Sequence, residues 1–259
     1  MDLTWLKGKS ILVTGHSGFK GAWLSYLLSR LGARVYGLSD RNSAMSEVYA
    51  ELSSEVFERE FWLDIRDGIS LGRELHRCSF ELVFHFAAQS LVLEAYRDPL
   101  STMQVNVSGS LNLVEAILRA QDQTTTKFVF ATSDKALIEL ESIRGPLGQN
   151  DSVTINEPYS ASKFSIDLLL RCLIDVGIHQ ASFEACVVRA GNVYGGGDNS
   201  ANRLIPDFFR AIENKQALNI RNPNNVRPWQ YVADVCFGYI AVARSLYADS
   251  PLRAFNIAP

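Results

Sequence analysis

Thr14-Gly15-His16-Ser17-Gly18-Phe19-Lys20-Gly21 stands directly after the apolar run Ile11–Val13. It opens a helical pattern in which Trp23, Leu24, Leu27, Leu28 and Leu31 recur until Gly32 supplies a C-cap. Glycines between a strand and a helix permit a tight turn. They also let backbone N–H groups at a helix N-terminus approach a pyrophosphate, whose charge the helix dipole favours. The turn therefore predicts a dinucleotide site built from Gly15, Ser17, Gly18, Phe19, Lys20 and Gly21, although its GxxGxxG spacing is one residue longer in the first gap than the GxGxxG form. At the end of the next apolar run, Asp40 lies about ~20 residues on, where a carboxylate holds adenosine ribose hydroxyls and repels a 2′-phosphate. NAD is favoured, and Arg41 beside it keeps NADP open.

Further apolar runs repeat the rhythm. Val35–Leu38, Phe61–Leu63, Leu82–Phe86, Phe128–Ala131 and Cys186–Arg189 read as strands, with room for a helix between most pairs. Several are apolar throughout, as strands covered on both faces are, so the expected fold is α/β with a doubly wound parallel sheet. Leu111–Leu118 and Ile166–Ile174 read as helices, partly external. Ala136 to Pro158, with Gly145, Pro146, Gly148, Asn150 and Asp151, reads as a loop longer than most inside a compact domain, and so as functional or mobile. Past residue 191 the pattern loosens into a helix near Leu204–Glu213, a short strand at Leu218–Ile220 and a helix at Ala233–Tyr247. The expected organisation is a dinucleotide-binding domain over 1–190 and a partial substrate lobe over 191–259 with interleaved elements of the first.

Composition narrows the function classes. The 259 residues are 47% hydrophobic and 20% charged, which is ordinary for a globular protein and far from a disordered one. With 25 Lys+Arg against 28 Asp+Glu the net charge is −3, and no basic run marks a nucleic-acid or anionic-membrane partner. Cys78, Cys172, Cys186 and Cys236 lie far apart, so neither a disulfide framework nor a structural metal is expected. The N-terminus lacks a signal-peptide pattern and no stretch approaches ~20 apolar residues, so a cytoplasmic location is expected. His16 and His85 have no ligand partner in sequence and read as packing or capping residues.

Tyr159-Ser160-Ala161-Ser162-Lys163 places a tyrosine and a lysine four apart, on one helix face. A tyrosine with an ordinary pKa of ~10 is a poor base at neutral pH, whereas one near a lysine ammonium and a cofactor cation can accept a hydroxyl proton.

Across almost its whole length the chain resembles the extended short-chain dehydrogenase/reductase family, in its nucleotide-sugar branch, and there the CDP-glucose 4,6-dehydratases. The resemblance rests on Thr14–Gly21, Asp64-Ile65-Arg66-Asp67, Ala87-Ala88-Gln89-Ser90-Leu91-Val92, Thr132-Ser133-Asp134-Lys135, Arg189-Ala190-Gly191-Asn192-Val193, Arg203-Leu204-Ile205-Pro206-Asp207 and Arg227-Pro228-Trp229-Gln230. It implies a Rossmann fold, NAD, a nucleotide-sugar substrate, a homodimer paired through the 111–118 and 166–174 helices, and a redox-neutral dehydration. By the same resemblance Tyr159 is the base for the sugar 4-hydroxyl, with Lys163 beside it. Ser133 bonds the 4-oxygen, Lys135 takes the C5 proton, and Asp134 protonates the departing 6-hydroxyl. Asp64 and Ile65 match the adenine position, Ala87, Ala88 and Gln89 match the strip along the cofactor, and Asn106 matches a structural or active-site amide; Asn106 and Thr132 are counted with the cofactor-binding positions. Asn192, Arg203 and Arg227 match the region that grips the nucleotide diphosphate, and Gln89, Ser90 and Leu204 join them as substrate-binding positions.

Departures are local. Ala136-Leu137-Ile138-Glu139 replaces the family's Cys-Tyr-x-Asn, Leu93 stands where an arginine is usual, and family members continue past Pro259, so an open substrate lobe is expected. Two alternatives remain beside dehydration. One is an epimerase or reductase using Tyr159 and Lys163 alone, and the other a catalytically weak NAD-binding homologue.

Overall fold

The computed structural model describes residues 2–52, 54–120, 125–136, 157–176, 183–220, 223–224, 226–248 and 253–259. Within them β1 (Ser10–Thr14) is buried along its whole length, as its unbroken apolar run demands, and pairs in parallel with β2 (Arg34–Ser39) and β4 (Leu82–His85). Outward from these lie β3 (Arg59–Trp62), β5 (Thr126–Ser133), β6 (Phe183–Ala190) and β9 (Ala254–Ile257), all parallel, in the order β3-β2-β1-β4-β5-β6-β9. This is the expected doubly wound sheet. The order reverses between β1 and β4, and an open α/β sheet presents its ligand crevice at the carboxyl ends of such a pair.

Helices cover both faces. On one, α1 (Phe19–Arg30) and α9 (Val232–Ser245) pack Leu24, Leu28, Val235 and Tyr239 against the sheet. On the other, α3 (Gly68–Leu75), α6 (Ser110–Ala120) and α7 (Pro158–Asp175) contribute Leu71, Leu75, Leu113, Ile117, Ile166 and Leu170. Short helices α2 (Glu47–Glu51), α4 (Val92–Arg97) and α5 (Pro99–Met103) and a π-helical turn over Gln104–Gly109 fill the connections. Gly32, at φ +84°, ends α1 as its spacing predicts.

After β6, β7 (Asn192–Tyr194) and β8 (Trp229–Tyr231) form a separate parallel pair, and α8 (Leu204–Glu213) stands between them in sequence. The sequence rhythm misses β7 and β8, each only three residues long, and β9, whose short run lies at the sheet edge. The strand expected at Leu218–Ile220 does not form: no ladder partner lies beside it among the described residues, and the segment faces a cleft instead. Segment 191–259 thus supplies one strand and one covering helix to the main sheet. The loop expected from Ala136 to Pro158 lies, over 137–156, outside the described residues, as do 121–124 of the expected polar turn.

Candidate functional site

A cleft of about 1170 Å³ opens at the carboxyl ends of the strands. Its floor is the glycine turn. Gly15 has φ +69°, and a Cβ there would meet the Ala87 backbone nitrogen at 2.8 Å; one on Gly21 would meet the Gly15 carbonyl oxygen at 2.1 Å. Gly18 is the N-cap of α1 and makes no side-chain cap, so the helix N-terminus faces the cleft with its own N–H groups.

The turn is braced from behind. His16 is fully buried, its Nε2 at 2.7 Å from Glu60 Oε1 and its Nδ1 at 3.0 Å from Ser39 Oγ, which accepts the Ser17 N–H at 3.2 Å. Tyr49 donates to the same Glu60 oxygen at 2.6 Å. Burial pulls the His16 pKa down, with Glu60 opposing. The His16 ring fits because residue 37 is glycine; a Cβ there would lie 2.5 Å from His16 Cδ2. His16 is the packing residue expected, and its partners Glu60 and Tyr49 carry no sequence signal.

Asp40 lines the cleft at the tip of β2, its Oδ1 accepting the Asn42 N–H at 2.9 Å, while the Arg41 guanidinium sits over the Trp62 ring at 5.7 Å. Asp64 pairs with Arg66 at 2.6 Å, and that hydrogen bond holds its carboxyl below the usual range. Lys20 reaches the Phe86 face at 5.7 Å; burial, then the Arg203 charge, lowers it to about 8.

The opposite wall comes from β5 and α7. Glu157 caps α7 by accepting from Tyr159 N at 2.8 Å and Ser160 N at 2.9 Å, with Pro158 in the first turn, so Tyr159 is fixed at the helix entrance. Burial pushes the Tyr159 hydroxyl up to about 12, while the nearby Ser133 hydroxyl and the Arg203 charge pull the other way. Ser133 donates to Asp134 Oδ1 at 3.0 Å and accepts the Lys135 N–H at 3.2 Å. Lys163, one turn after Tyr159, lies against the Ala131 carbonyl at 3.4 Å, and burial, then the Lys20 charge, lowers it to about 7. One turn further, Asp167 receives Arg189 through two bonds of 2.7 Å, and Thr132 donates to it at 3.2 Å. This buried clamp of α7 to β5 and β6 has no motif that announces it.

Gln89, Ser90, Thr132, Asp134, Lys135, Asn192, Arg203, Leu204 and Arg227 all border the same cleft, with Ile65, Ala87 and Ala88. Arg203 pairs with Asp198 at 3.2 Å. Lys163 is buried and does not border the cleft, and neither does Asn106. Asn106 is buried behind the wall, its amide bonded to the backbone of Gln89 and to Ser162. Among the described residues no His/Cys/Asp/Glu group could hold a metal, all four cysteines are free, and no helix is long and apolar enough to cross a membrane.

A family model described as the NAD dependent epimerase/dehydratase family matches residues 11–258. The chain belongs to this family. It is an extended short-chain dehydrogenase/reductase of the branch that modifies nucleotide sugars, and its cofactor is NAD. A CDP-glucose 4,6-dehydratase of Salmonella typhimurium is 37% identical over 254 residues, which cover 96% of this chain and 70% of the relative. UDP-glucose 4-epimerase 1 of Oryza sativa subsp. japonica is 26% identical over 266 residues, 93% of this chain and 72% of that protein. The structure of a dTDP-glucose 4,6-dehydratase from Streptomyces venezuelae, solved with NAD bound, superposes with a TM-score of 0.81 at 25% identity, covering 96% of this chain and 76% of that one. The cleft fits the family's cofactor: a backbone-lined glycine turn at a helix N-terminus lies at one end, with a carboxylate at the tip of β2.

Proposed function

We propose that this epimerase/dehydratase family member is a nucleotide-sugar 4,6-dehydratase acting on CDP-glucose or a similar nucleotide hexose. The observation that carries the reading is the run Ser133-Asp134-Lys135 at the carboxyl end of β5, all three bordering the same cleft as Tyr159. An oxidation at C4 needs one base, whereas elimination of water across C5 and C6 needs a second base and an acid, and Lys135 and Asp134 are residue types suited to those tasks.

The glycine turn and the α1 N-terminus would hold the cofactor diphosphate, Asp40 the adenosine ribose, and Asp64 and Ile65 the adenine. NAD held there would supply a hydride acceptor for the oxidation at C4 and a hydride donor for the reduction at C6. Tyr159 takes the 4-hydroxyl proton while Ser133 holds the 4-oxygen. Standing at about 12 in the chain by itself, Tyr159 needs positive charge in the cleft before it can act as a base. The 4-ketone acidifies C5–H. Lys135 takes that proton, and Asp134 delivers one to the 6-hydroxyl, which leaves as water. A proton returns to C5, so the sugar loses one water with no net oxidation.

Arg203, Arg227 and Asn192 would grip the nucleotide diphosphate, with Ser90 and Leu204 beside them. We further propose the division into 1–190 and 191–259 as cofactor-binding and substrate-binding parts. We also propose a homodimer paired through α6 and α7, where Leu168 is 50% exposed and Cys172, one turn on, is exposed as well.

Epimerisation is the second reading, favoured by relatives such as the rice epimerase. It would use Tyr159 and Lys163 and leave Asp134 and Lys135 as structural groups. Incubation with a panel of nucleotide hexoses and mass analysis of the products separates the two. Loss of one water supports dehydration, an unchanged mass with inverted stereochemistry supports epimerisation, and no conversion with retained NAD binding points to a weak homologue.

A further inference from the structure

His85 ends β4, is 4% exposed, and borders no part of the cleft. Both ring nitrogens are engaged, Nδ1 with Thr14 Oγ1 at 2.7 Å and Nε2 with Ser110 Oγ at 2.8 Å. The proton directions follow from the partners. Ser110 Oγ donates its one proton to the Asn106 carbonyl at 2.8 Å, so toward His85 it is the acceptor and Nε2 carries the hydrogen. In a neutral imidazole Nδ1 is then the acceptor and takes the Thr14 hydroxyl proton, while Thr14 Oγ1 in turn accepts the Ala87 N–H at 3.1 Å. Burial, helped by the Lys163 charge, lowers His85 to about 3, which keeps the ring neutral as this chain requires.

The chain of bonds continues through Asn106. Its carbonyl lies in the π-helical turn, where the i→i−4 ladder is displaced and such turns recur at functional sites. Its amide accepts the Gln89 N–H at 2.8 Å and donates to the Gln89 carbonyl at 3.0 Å and to Ser162 Oγ at 2.8 Å. Ser162 Oγ donates to the Tyr159 carbonyl at 2.7 Å. One run of directed bonds therefore starts on the Ala87 N–H and ends on Gln89 and on the helical turn of Tyr159.

We propose that His85 is a positioning residue: as the Nε2–H tautomer it locks the Ala87–Gln89 strip of the cleft wall to the turn of α7 that carries Tyr159 and Lys163. The inference deepens the proposed function, on which it rests only for the identity of the reaction this wall serves. The competing account is packing alone, since His85 stands edge-on to Phe130 with ring centroids 5.6 Å apart.

His85→Phe keeps the ring and that packing while removing both nitrogens, and His85→Gln restores one acceptor and one donor on a flat amide. In the cofactor-free protein, exchange of the Gln89 amide hydrogen, at the far end of the chain of bonds, should speed up by about tenfold or more in His85→Phe and return toward wild type in His85→Gln. With NAD and a nucleotide hexose, His85→Phe should lose about tenfold in kcat with KM for the sugar within about threefold, and His85→Gln should recover most of it. The nitrogen-15 spectrum of the wild-type imidazole should show the Nε2–H tautomer. An Nδ1–H tautomer, or Gln89 exchange unchanged in His85→Phe while the melting temperature falls, would overturn the proposal in favour of packing. If His85→Phe does not fold, Ser110→Ala cuts the same chain one link on and is read at the same amide. If the wild type converts no sugar, the reaction assignment fails while the exchange and tautomer results still decide the role of His85.

Discussion

Arg203 donates to Ser90 Oγ at 3.2 Å, and so links the segment before α8 to the loop after β4 across the mouth of the cleft. Its other nitrogen is held by Asp198, whose side chain is almost fully buried, so the guanidinium is aimed before any ligand arrives. Removing a fork that bonds a phosphate should weaken nucleotide-diphosphate binding by about ten- to a hundredfold. Calorimetry of Arg203→Ala with CDP and UDP should show that loss with NAD affinity within about twofold. Unchanged nucleotide affinity would place the diphosphate elsewhere.

Tyr159→Phe removes the proton acceptor while leaving the Glu157 cap, which acts through backbone N–H groups. Turnover should fall by about 10²–10⁴-fold, with the melting temperature and NAD affinity near wild type. Retained turnover would move the C4 base to another residue.

Lys163 titrates at about 7 in the folded chain against 10.5 for an ordinary lysine, because burial disfavours the ammonium. Between those values the unfolded chain binds the proton that the folded chain has released. Stability from this group therefore rises with pH across that window, and the penalty is fully present below it. Lys20, at about 8, acts in the same direction. Melting of the cofactor-free protein should move upward between pH 7 and 10 less steeply in Lys163→Met than in wild type. Identical slopes would show that Lys163 keeps its proton.

Asp40 at the tip of β2 faces the cleft. A carboxylate there opposes a 2′-phosphate, so wild type should bind NAD more tightly than NADP, and Asp40→Asn should narrow the gap by about tenfold. Fluorescence titration with both cofactors measures the ratio; a wild type without preference would remove Asp40 from that role.

The glycine turn, six of the strands and the Tyr159/Lys163 face were legible because each rests on local pattern: a turn that needs glycine, unbroken apolar runs, and a four-residue spacing. What was not legible depends on approach between distant segments. Glu60 and Tyr49 meet His16, and Asp167 meets Arg189, only after the sheet has formed. Asn106 matches, by resemblance, a structural or active-site amide, and only the folded chain shows its amide turned into the wall, onto Gln89 and Ser162. Leu218 and Ile220 have strand-forming side chains but no neighbouring edge to pair with, and a strand is a property of two segments.

Gly37 and His16 form a pair in which neither position changes freely. With the imidazole in place, any side chain at 37 would overlap it, the ideal Cβ lying 2.5 Å from Cδ2. With a small residue at 16 that obstacle is gone, while Glu60 and the Tyr49 hydroxyl lose their shared partner. A lineage leaving this arrangement must therefore change 16 before 37, and one entering it must acquire glycine at 37 before histidine at 16. The turn thus imposes an order on its own history, and the same order limits any attempt to exchange it with that of a relative one substitution at a time.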